Sequence, residues 1–106
     1  MALEHCTEED RQIIQGCLRA AIEGPFFPEW EFRILFGLTR PEVARVLLAW
    51  PDVDDRDEKV DVAVHNSLGN LLGYPHGEKQ AWDRFIAVTP ARVEEALQRW
   101  KMPRTS

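Results

Sequence analysis

The sequence predicts a single all-α domain of six helices, and three observations support this prediction. Apolar residues recur at intervals of three and four along most of the chain, the spacing that places them on one helix face. Threonines suited to start helices, and glycines or prolines suited to end them, divide the chain into segments of helical length. The 106 residues can bury a core without a metal or a disulfide. The domain is expected to span residues 1–106, with residues 1–6 and 102–106 as frayed ends.

The first two helices are predicted from their ends. The first is expected to begin after Thr7, whose hydroxyl can accept a hydrogen bond from an early amide, and to end at Gly24. Glycine there tolerates the left-handed conformation that closes many helices. A short second helix is expected over residues 29–36, and Gly37 ends it. The apolar face of the first helix consists of Ile13, Ile14, Cys17, Leu18, Ala21 and Ile22.

The third helix has the clearest start in the chain. Thr39 is followed three residues later by Glu42, the spacing of a capping box, and Pro51 ends the helix. Ala44 and Leu48 widen its apolar arc beyond one face, so this helix is expected to be covered on more than one side. A homodimer that uses this second face is one way to cover it.

An acidic segment joins the two halves of the chain. Six acidic residues against two basic ones lie within ten positions, and they are expected to lead into the fourth helix, with Asp54 or Asp55 as its cap. The alternative is a surface that steers a basic partner towards the domain. The candidate acidic residues are Asp52, Asp54, Asp55, Asp57, Glu58 and Asp61.

The last three helices follow the same pattern as the first three. The fourth carries an apolar face and an internal Gly69, which suggests close approach of another backbone. A turn over residues 73–77 separates it from a fifth helix at residues 78–86. Thr89, followed by a proline at the first helical position, starts the sixth. The face of the fourth helix consists of Val60, Val64, Leu68, Leu71 and Leu72.

Shifting the chain by fifty residues aligns the first three helices with the last three without a gap. Thr39 falls on Thr89, and Trp50 falls on Trp100. The alignment predicts two three-helix units, residues 7–50 and 57–100, although amphipathic helices can also align by coincidence. The units differ most around the second turn, where Asn66 replaces Gly16, Asn70 replaces Ala20, Tyr74 replaces Gly24 and His76 replaces Phe26.

These differences define the candidate binding site. Asn66 and Asn70 lie one helical turn apart, and Tyr74, His76 and Trp82 follow closely in sequence. Together they could form a polar and aromatic binding patch or pocket. The alternative is structural, because Asn and His side chains often satisfy carbonyls and amides at turns.

The sequence contains no pattern of a catalytic or metal site. It lacks a pair of zinc-binding histidines at the spacing of H-E-x-x-H, and it lacks the G-x-S-x-G motif of a nucleophilic serine. Cys6 and Cys17 would lie about 16 Å apart on one helix, too far for a disulfide. No catalytic residue, metal or cofactor is therefore predicted.

Charge and hydropathy suggest the compartment and the partner. No apolar run approaches the length of about 20 residues that a membrane span requires, and the start of the chain does not resemble a secretory signal. A soluble cytoplasmic protein is expected. The formal net charge of −5 disfavours nucleic acid as a partner and favours a basic protein.

Two strings, W-E-F-R-I-L-F-G-L-T-R-P-E-V at residues 30–43 and N-L-L-G-Y-P-H-G at residues 70–77, are similar to a family of small uncharacterised bacterial proteins. This resemblance implies no activity, cofactor or site residue. The sequence therefore favours a non-enzymatic interaction protein, such as an immunity or antitoxin-like inhibitor of a basic partner. The alternative function is a small-molecule or enzymatic pocket around Asn66, Asn70, Tyr74 and His76.

Overall fold

The described residues form six α-helices, in the order that the apolar pattern predicts. The computed structural model describes residues 2–74 and 76–102, and these residues contain no strand. The prediction of an all-α domain with six helices is confirmed. A short 3-10 helix, Ala2–His5, precedes α1 (Glu8–Glu23), α2 (Glu29–Phe36), α3 (Arg40–Ala49), α4 (Glu58–Gly73), α5 (Lys79–Phe85) and α6 (Pro90–Trp100).

Helices α1 and α4 lie at the centre of the domain and pack against each other. Helix α1 also contacts α3, α5 and α6, whereas α4 also contacts α2, α3 and α6. Their apolar faces are buried as the spacing predicts, except that Ile22 and Leu72 near the two helix ends are only partly buried. The inner residues of these two faces include Ile14, Cys17, Leu18, Val64, Leu68 and Leu71.

The predicted helix starts are confirmed at the threonines. The Thr7 hydroxyl accepts a hydrogen bond from the Asp10 amide at 3.0 Å, and the Asp10 carboxylate accepts one from the Thr7 amide. Thr39 and Glu42 form the predicted capping box, with 2.9 Å between the Thr39 amide and the Glu42 carboxylate. Thr89 accepts from the amide three residues later in the same way.

Gly24 ends α1 for a different reason from the predicted one. Its φ of −82° is not left-handed, so no glycine is required for the backbone conformation. Instead, a Cβ atom at this position would lie 2.6 Å from the Ala20 carbonyl oxygen and 2.7 Å from the Phe26 ring. Gly69 shows the opposite: nothing lies within 4 Å of the place of its Cβ, so the predicted close approach of a backbone is wrong.

These two glycines give a matched pair of substitutions. Gly24→Ala is expected to lower the free energy of unfolding by about 1 to 3 kcal/mol, because the added methyl group forces the carbonyl or the ring to move. Gly69→Ala is expected to raise it by up to about 1 kcal/mol, because alanine is the better helix former and has room there. Urea denaturation of both variants measures this difference, and equal effects of the two alanines would contradict the close contact at Gly24.

The segment at residues 2–6, where the sequence predicts fraying, contacts the rest of the domain. The Leu3 amide donates to the buried Asp55 carboxylate at 2.8 Å, and the Arg11 side chain donates to the Leu3 carbonyl at 3.0 Å. Cys6 is buried, and the 3-10 helix packs against α6. Fraying of residues 1–6 stays a prediction, and these contacts of residues 3 and 6 argue against it. Residues 103–106 of the predicted C-terminal fray, and Pro75 of the predicted turn, lie outside the described residues.

The second face of α3, predicted to be covered, is left open at Leu48 by the residues that the structure describes. Leu48 is 86% exposed, and Ala44 is half-buried. Both cysteines, in contrast, are buried and are not joined by a disulfide, and burial raises the pKa of Cys17 to about 12 and that of Cys6 to about 11. Their thiols therefore remain protonated and unreactive at neutral pH.

Residues fifty positions apart make similar contacts. The Trp50 indole donates to the Arg11 carbonyl at 2.9 Å, and the Trp100 indole donates to the Asp61 carboxylate at 2.9 Å. Positions 11 and 61 are themselves fifty residues apart, and the two indole rings lie 6.0 Å from each other. An ion pair also recurs with its charges exchanged: Glu9 with Arg92, and Lys59 with Glu42, each at 3.0 Å.

Candidate functional site

The two asparagines of the candidate site serve the fold. The Asn66 side chain donates to the Phe36 carbonyl at 2.8 Å, and the Asn70 side chain donates to the Leu35 carbonyl at 2.9 Å. Both carbonyls belong to the last turn of α2, where no helical amide follows to satisfy them. The structural alternative therefore accounts for Asn66 and Asn70, which cap a neighbouring helix.

Tyr74 and His76 are also held by hydrogen bonds within the chain. The Tyr74 hydroxyl donates to the Glu31 carboxylate, and this bond raises the pKa of Tyr74. In His76, Nδ1 accepts from the Glu78 amide at 3.0 Å, which leaves Nε2 to donate to the Leu71 carbonyl at 3.1 Å. The imidazole packs edge-on against Phe26, the residue fifty positions earlier, at 4.9 Å.

A cavity of about 460 Å³ lies beside these residues. We call it the Trp82 groove. The indole of Trp82 lines it and donates its own N–H to the Val88 carbonyl at 2.9 Å. Tyr74 and His76 also line the groove, whereas Asn66 and Asn70 do not. The other lining residues are Leu71, Leu72, Gly77, Lys79, Asp83 and Pro90.

The sequence prediction missed the groove residues that come from helix ends. Leu71 and Leu72 lie in the last turn of α4, and Pro90 is the first residue of α6. The fifty-residue alignment carried a signal for them, because it places Pro90 opposite Arg40, a long charged side chain. Because Pro90 is shorter than Arg40, the space that the Arg40 side chain fills in the first half is expected to be open in the second half.

Two residues of the predicted acidic surface accept hydrogen bonds from distant parts of the chain. Asp55 is 2% exposed, and its carboxylate accepts the Leu3 amide. Asp61 accepts the Trp100 indole. The predicted cap of α4 is also corrected, because Asp57, rather than Asp54 or Asp55, accepts the Lys59 amide at 2.9 Å. Asp55 is therefore too buried to belong to a partner surface, whereas Asp61 remains exposed beside its bond to Trp100.

The remaining acidic residues are exposed, and three of them line a second cavity. Asp52, Asp54 and Asp57 stand around a space of about 330 Å³. We call it the acidic groove. Its apolar lining consists of Val46, Ala49, Val53 and Val60.

Two basic residues and one further carboxylate also line the acidic groove. The Lys59 ammonium lies 3.0 Å from the Glu42 carboxylate, so its charge is paired, whereas Arg45 is exposed. The pKa of Glu42 is lowered to about 2, first by the bond from the Thr39 amide and then by Lys59. The groove therefore keeps an excess of negative charge over an apolar lining, which suits a long basic side chain.

Exposed apolar residues occupy the outer face of α2. Trp30 is 74% exposed and Ile34 is 79% exposed, one turn apart. Phe26 and Phe27 are buried, so Trp30 is not part of an exposed aromatic cluster.

Within the part of the chain that the structure describes, no three His, Cys, Asp or Glu side chains converge to hold a metal ion. No described helix is both long and apolar enough to cross a membrane. Comparison with protein-family models, curated proteins and solved structures finds no match to this chain.

Proposed function

We propose that this protein is a non-enzymatic binding domain for a basic protein, such as an immunity or antitoxin-like inhibitor. The observation that carries the proposal is the acidic groove, where a turn gathers Asp52, Asp54 and Asp57 around an apolar lining. Such a surface accelerates the approach of a basic partner and can hold its side chains after contact. The net charge of −5 acts in the same direction.

The hydrogen bonds of the polar side chains beside the Trp82 groove favour a binding function over a catalytic one. Tyr74, His76 and Trp82 each donate a hydrogen bond within the chain. A general acid or base must instead direct a polar atom towards a substrate. In this proposal the domain acts in the cytoplasm, where Cys6 and Cys17 stay reduced.

The test of this proposal is capture of a partner from a lysate of the source organism. The bait is the wild-type chain or a variant with Asp52→Ser, Asp54→Ser and Asp57→Ser. Serine keeps an oxygen that can cap α4 in place of Asp57. Asp55 is left unchanged because its carboxylate holds the N-terminus.

A matched control removes the same number of charges from exposed positions elsewhere: Glu8→Ser, Glu94→Ser and Glu95→Ser. Mass spectrometry is expected to find a basic protein retained by the wild type and by the control, and lost with the acidic-groove variant. Equal retention by all three baits, or no basic protein at all, would overturn the proposal.

A homodimer is the second candidate, and the exposure of Leu48 favours it. Sedimentation of the wild type and of Leu48→Lys tests this candidate. A dimer that dissociates in the variant supports it, and a monomeric wild type excludes it.

We also infer that residues 7–50 and 57–100 are structural counterparts. The paired indole bonds of Trp50 and Trp100 support this inference, as does the exchanged ion pair between α1 and α6 and between α3 and α4. An experimental structure in which the three helices of one unit do not superpose on those of the other would contradict it.

A further inference from the structure

In one half of the domain, several groups of the chain surround and bind the guanidinium group of an arginine. Arg40, the first residue of α3, donates through Nη1 to the carbonyls of Ala21 at 3.1 Å and Ile22 at 2.7 Å, and through Nη2 to Phe27 at 3.2 Å. The first two carbonyls belong to the last turn of α1, where the helix dipole favours a cation.

The same guanidinium is also stacked and ion-paired. Its carbon lies 4.3 Å from the centroid of the Phe32 ring, within the range of a cation–π contact. Its Nε lies 2.6 Å from the Glu29 carboxylate. Helix-end carbonyls, an aromatic face and a carboxylate thus surround one planar cation.

The residues fifty positions after this site line the Trp82 groove. The groove contains Leu71 and Leu72 from the last turn of α4, where the first site has Ala21 and Ile22 from the last turn of α1. It contains Gly77, Lys79 and Trp82, where the first site has Phe27, Glu29 and Phe32. Pro90 stands at the place of Arg40. The groove is therefore the counterpart of the Arg40 site without its arginine.

Three properties of the groove suit a guanidinium. The last carbonyls of α4 carry the negative end of the helix dipole, as those of α1 do. The Leu71 carbonyl accepts one bond from His76 and has a second lone pair. Trp82 offers a larger aromatic ring than Phe32, and indole is the ring that attracts cations best.

A carboxylate also lines the groove, at a different position from the one in the first site. The first site has Glu29, whereas Lys79 stands at the corresponding position of the groove. Asp83, which also lines the groove, is therefore the carboxylate available to a bound guanidinium.

We propose that the Trp82 groove binds an arginine side chain presented by a basic protein partner. This inference rests on the proposed function and names the residue of the partner that is recognised. Arginine is favoured over lysine because a planar guanidinium can donate several hydrogen bonds at fixed angles while it stacks on an aromatic ring.

The test is an NMR titration of the ¹⁵N-labelled protein with N-acetyl-arginine-N-methylamide, which mimics an arginine within a chain. The Gly77 amide and the Trp82 indole N–H, assigned by its loss in Trp82→Phe, are expected to shift and to saturate. N-acetyl-lysine-N-methylamide is expected to bind about three- to tenfold more weakly. Absence of these shifts, or equal binding of the lysine compound, would overturn the proposal.

A single substitution tests the geometry. Pro90→Arg places an arginine at the position that Arg40 has in the first half, where it fills the groove from within. It is expected to abolish the shifts caused by the arginine compound. Ala91→Arg adds the same charge at the adjacent exposed position and is expected to leave binding unchanged. Binding by Pro90→Arg as strong as that of the wild type would contradict the assignment.

Two further outcomes separate the alternatives. Free L-arginine is expected to bind no better than the capped compound, and tighter binding of the free amino acid would make the groove a small-molecule site instead. The captured basic partner separates the two proposals. If it binds Pro90→Arg as well as Ala91→Arg but fails to bind the acidic-groove variant, the proposed function stands and the arginine pocket is wrong.

Discussion

Asp10→Asn is expected to lower the free energy of unfolding by about 2 to 4 kcal/mol, in the range for breaking a buried ion pair. Asp10 is fully buried and accepts hydrogen bonds from both Arg99 and the Thr7 amide. The Arg92 guanidinium lies 2.8 Å from the same carboxylate. The substitution leaves two cations without their common anion, and it weakens the connection between the start of α1 and both ends of α6.

Urea denaturation at pH 7 measures this loss, with Glu8→Gln as the control in the same helical turn. Glu8 is exposed, so its amide is expected to change stability by less than about 0.5 kcal/mol. A wild-type-like Asp10→Asn would show that the packing of α1 and α6, rather than the ion pair, holds the N-terminal half of α1.

The same carboxylate makes stability depend on pH. The bond from Arg99, followed by those from Thr7 and Arg92, holds the pKa of Asp10 below its usual range in the folded protein. A depressed pKa contributes stability that is complete above the unfolded value of about 3.9 and is lost as pH falls below it. Between pH 5 and pH 2, Asp10→Asn is therefore expected to lose less stability than the wild type. If the free energy of unfolding of the two proteins falls equally over this pH range, the ion pair of Asp10 is contradicted.

Arg40→Met is expected to cost about 2 to 4 kcal/mol, because it removes several charge-assisted hydrogen bonds to carbonyls and the ion pair with Glu29. Methionine preserves much of the aliphatic stem. Arg40→Lys is expected to recover less than half of the loss, since an ammonium cannot reach the separated carbonyls and stack on Phe32 at once.

Arg45→Met on the exposed face of α3 is the matched control for the lost charge, and it is expected to change stability by less than about 0.5 kcal/mol. Denaturation in urea compares the three variants. Full stability of Arg40→Lys would mean that the site requires a positive charge alone, and it would weaken the case that the Trp82 groove prefers arginine.

Local signals explain why the sequence predicted the helices well. A threonine cap such as Thr39 satisfies amides within its own first turn, so the residues that decide the boundary are neighbours in sequence. The ends at Gly37 and at the start of α6 are of the same kind.

The site was predicted less well because its contacts are distant in sequence. Asn70 could be recognised as a polar residue on a helix flank, but its acceptor at Leu35 lies 35 positions away. In the sequence Asp55 cannot be told from its acidic neighbours, and only in the structure does its carboxylate accept the amide of Leu3, 52 positions away. Composition therefore identified an acidic segment, and only the tertiary structure separated the buried Asp55 from the exposed carboxylates around it.

The dissociation constant between the captured basic partner and this domain tests the central claim most directly. Calorimetric titration compares the wild type, the acidic-groove variant (Asp52→Ser, Asp54→Ser and Asp57→Ser) and the control with Glu8, Glu94 and Glu95 replaced by serine. The acidic-groove variant is expected to bind at least about tenfold more weakly, a loss of about 1.4 kcal/mol, while the control binds like the wild type. Equal weakening by both triple variants would mean that only net charge matters, and equal affinity of all three would contradict recognition through the acidic groove.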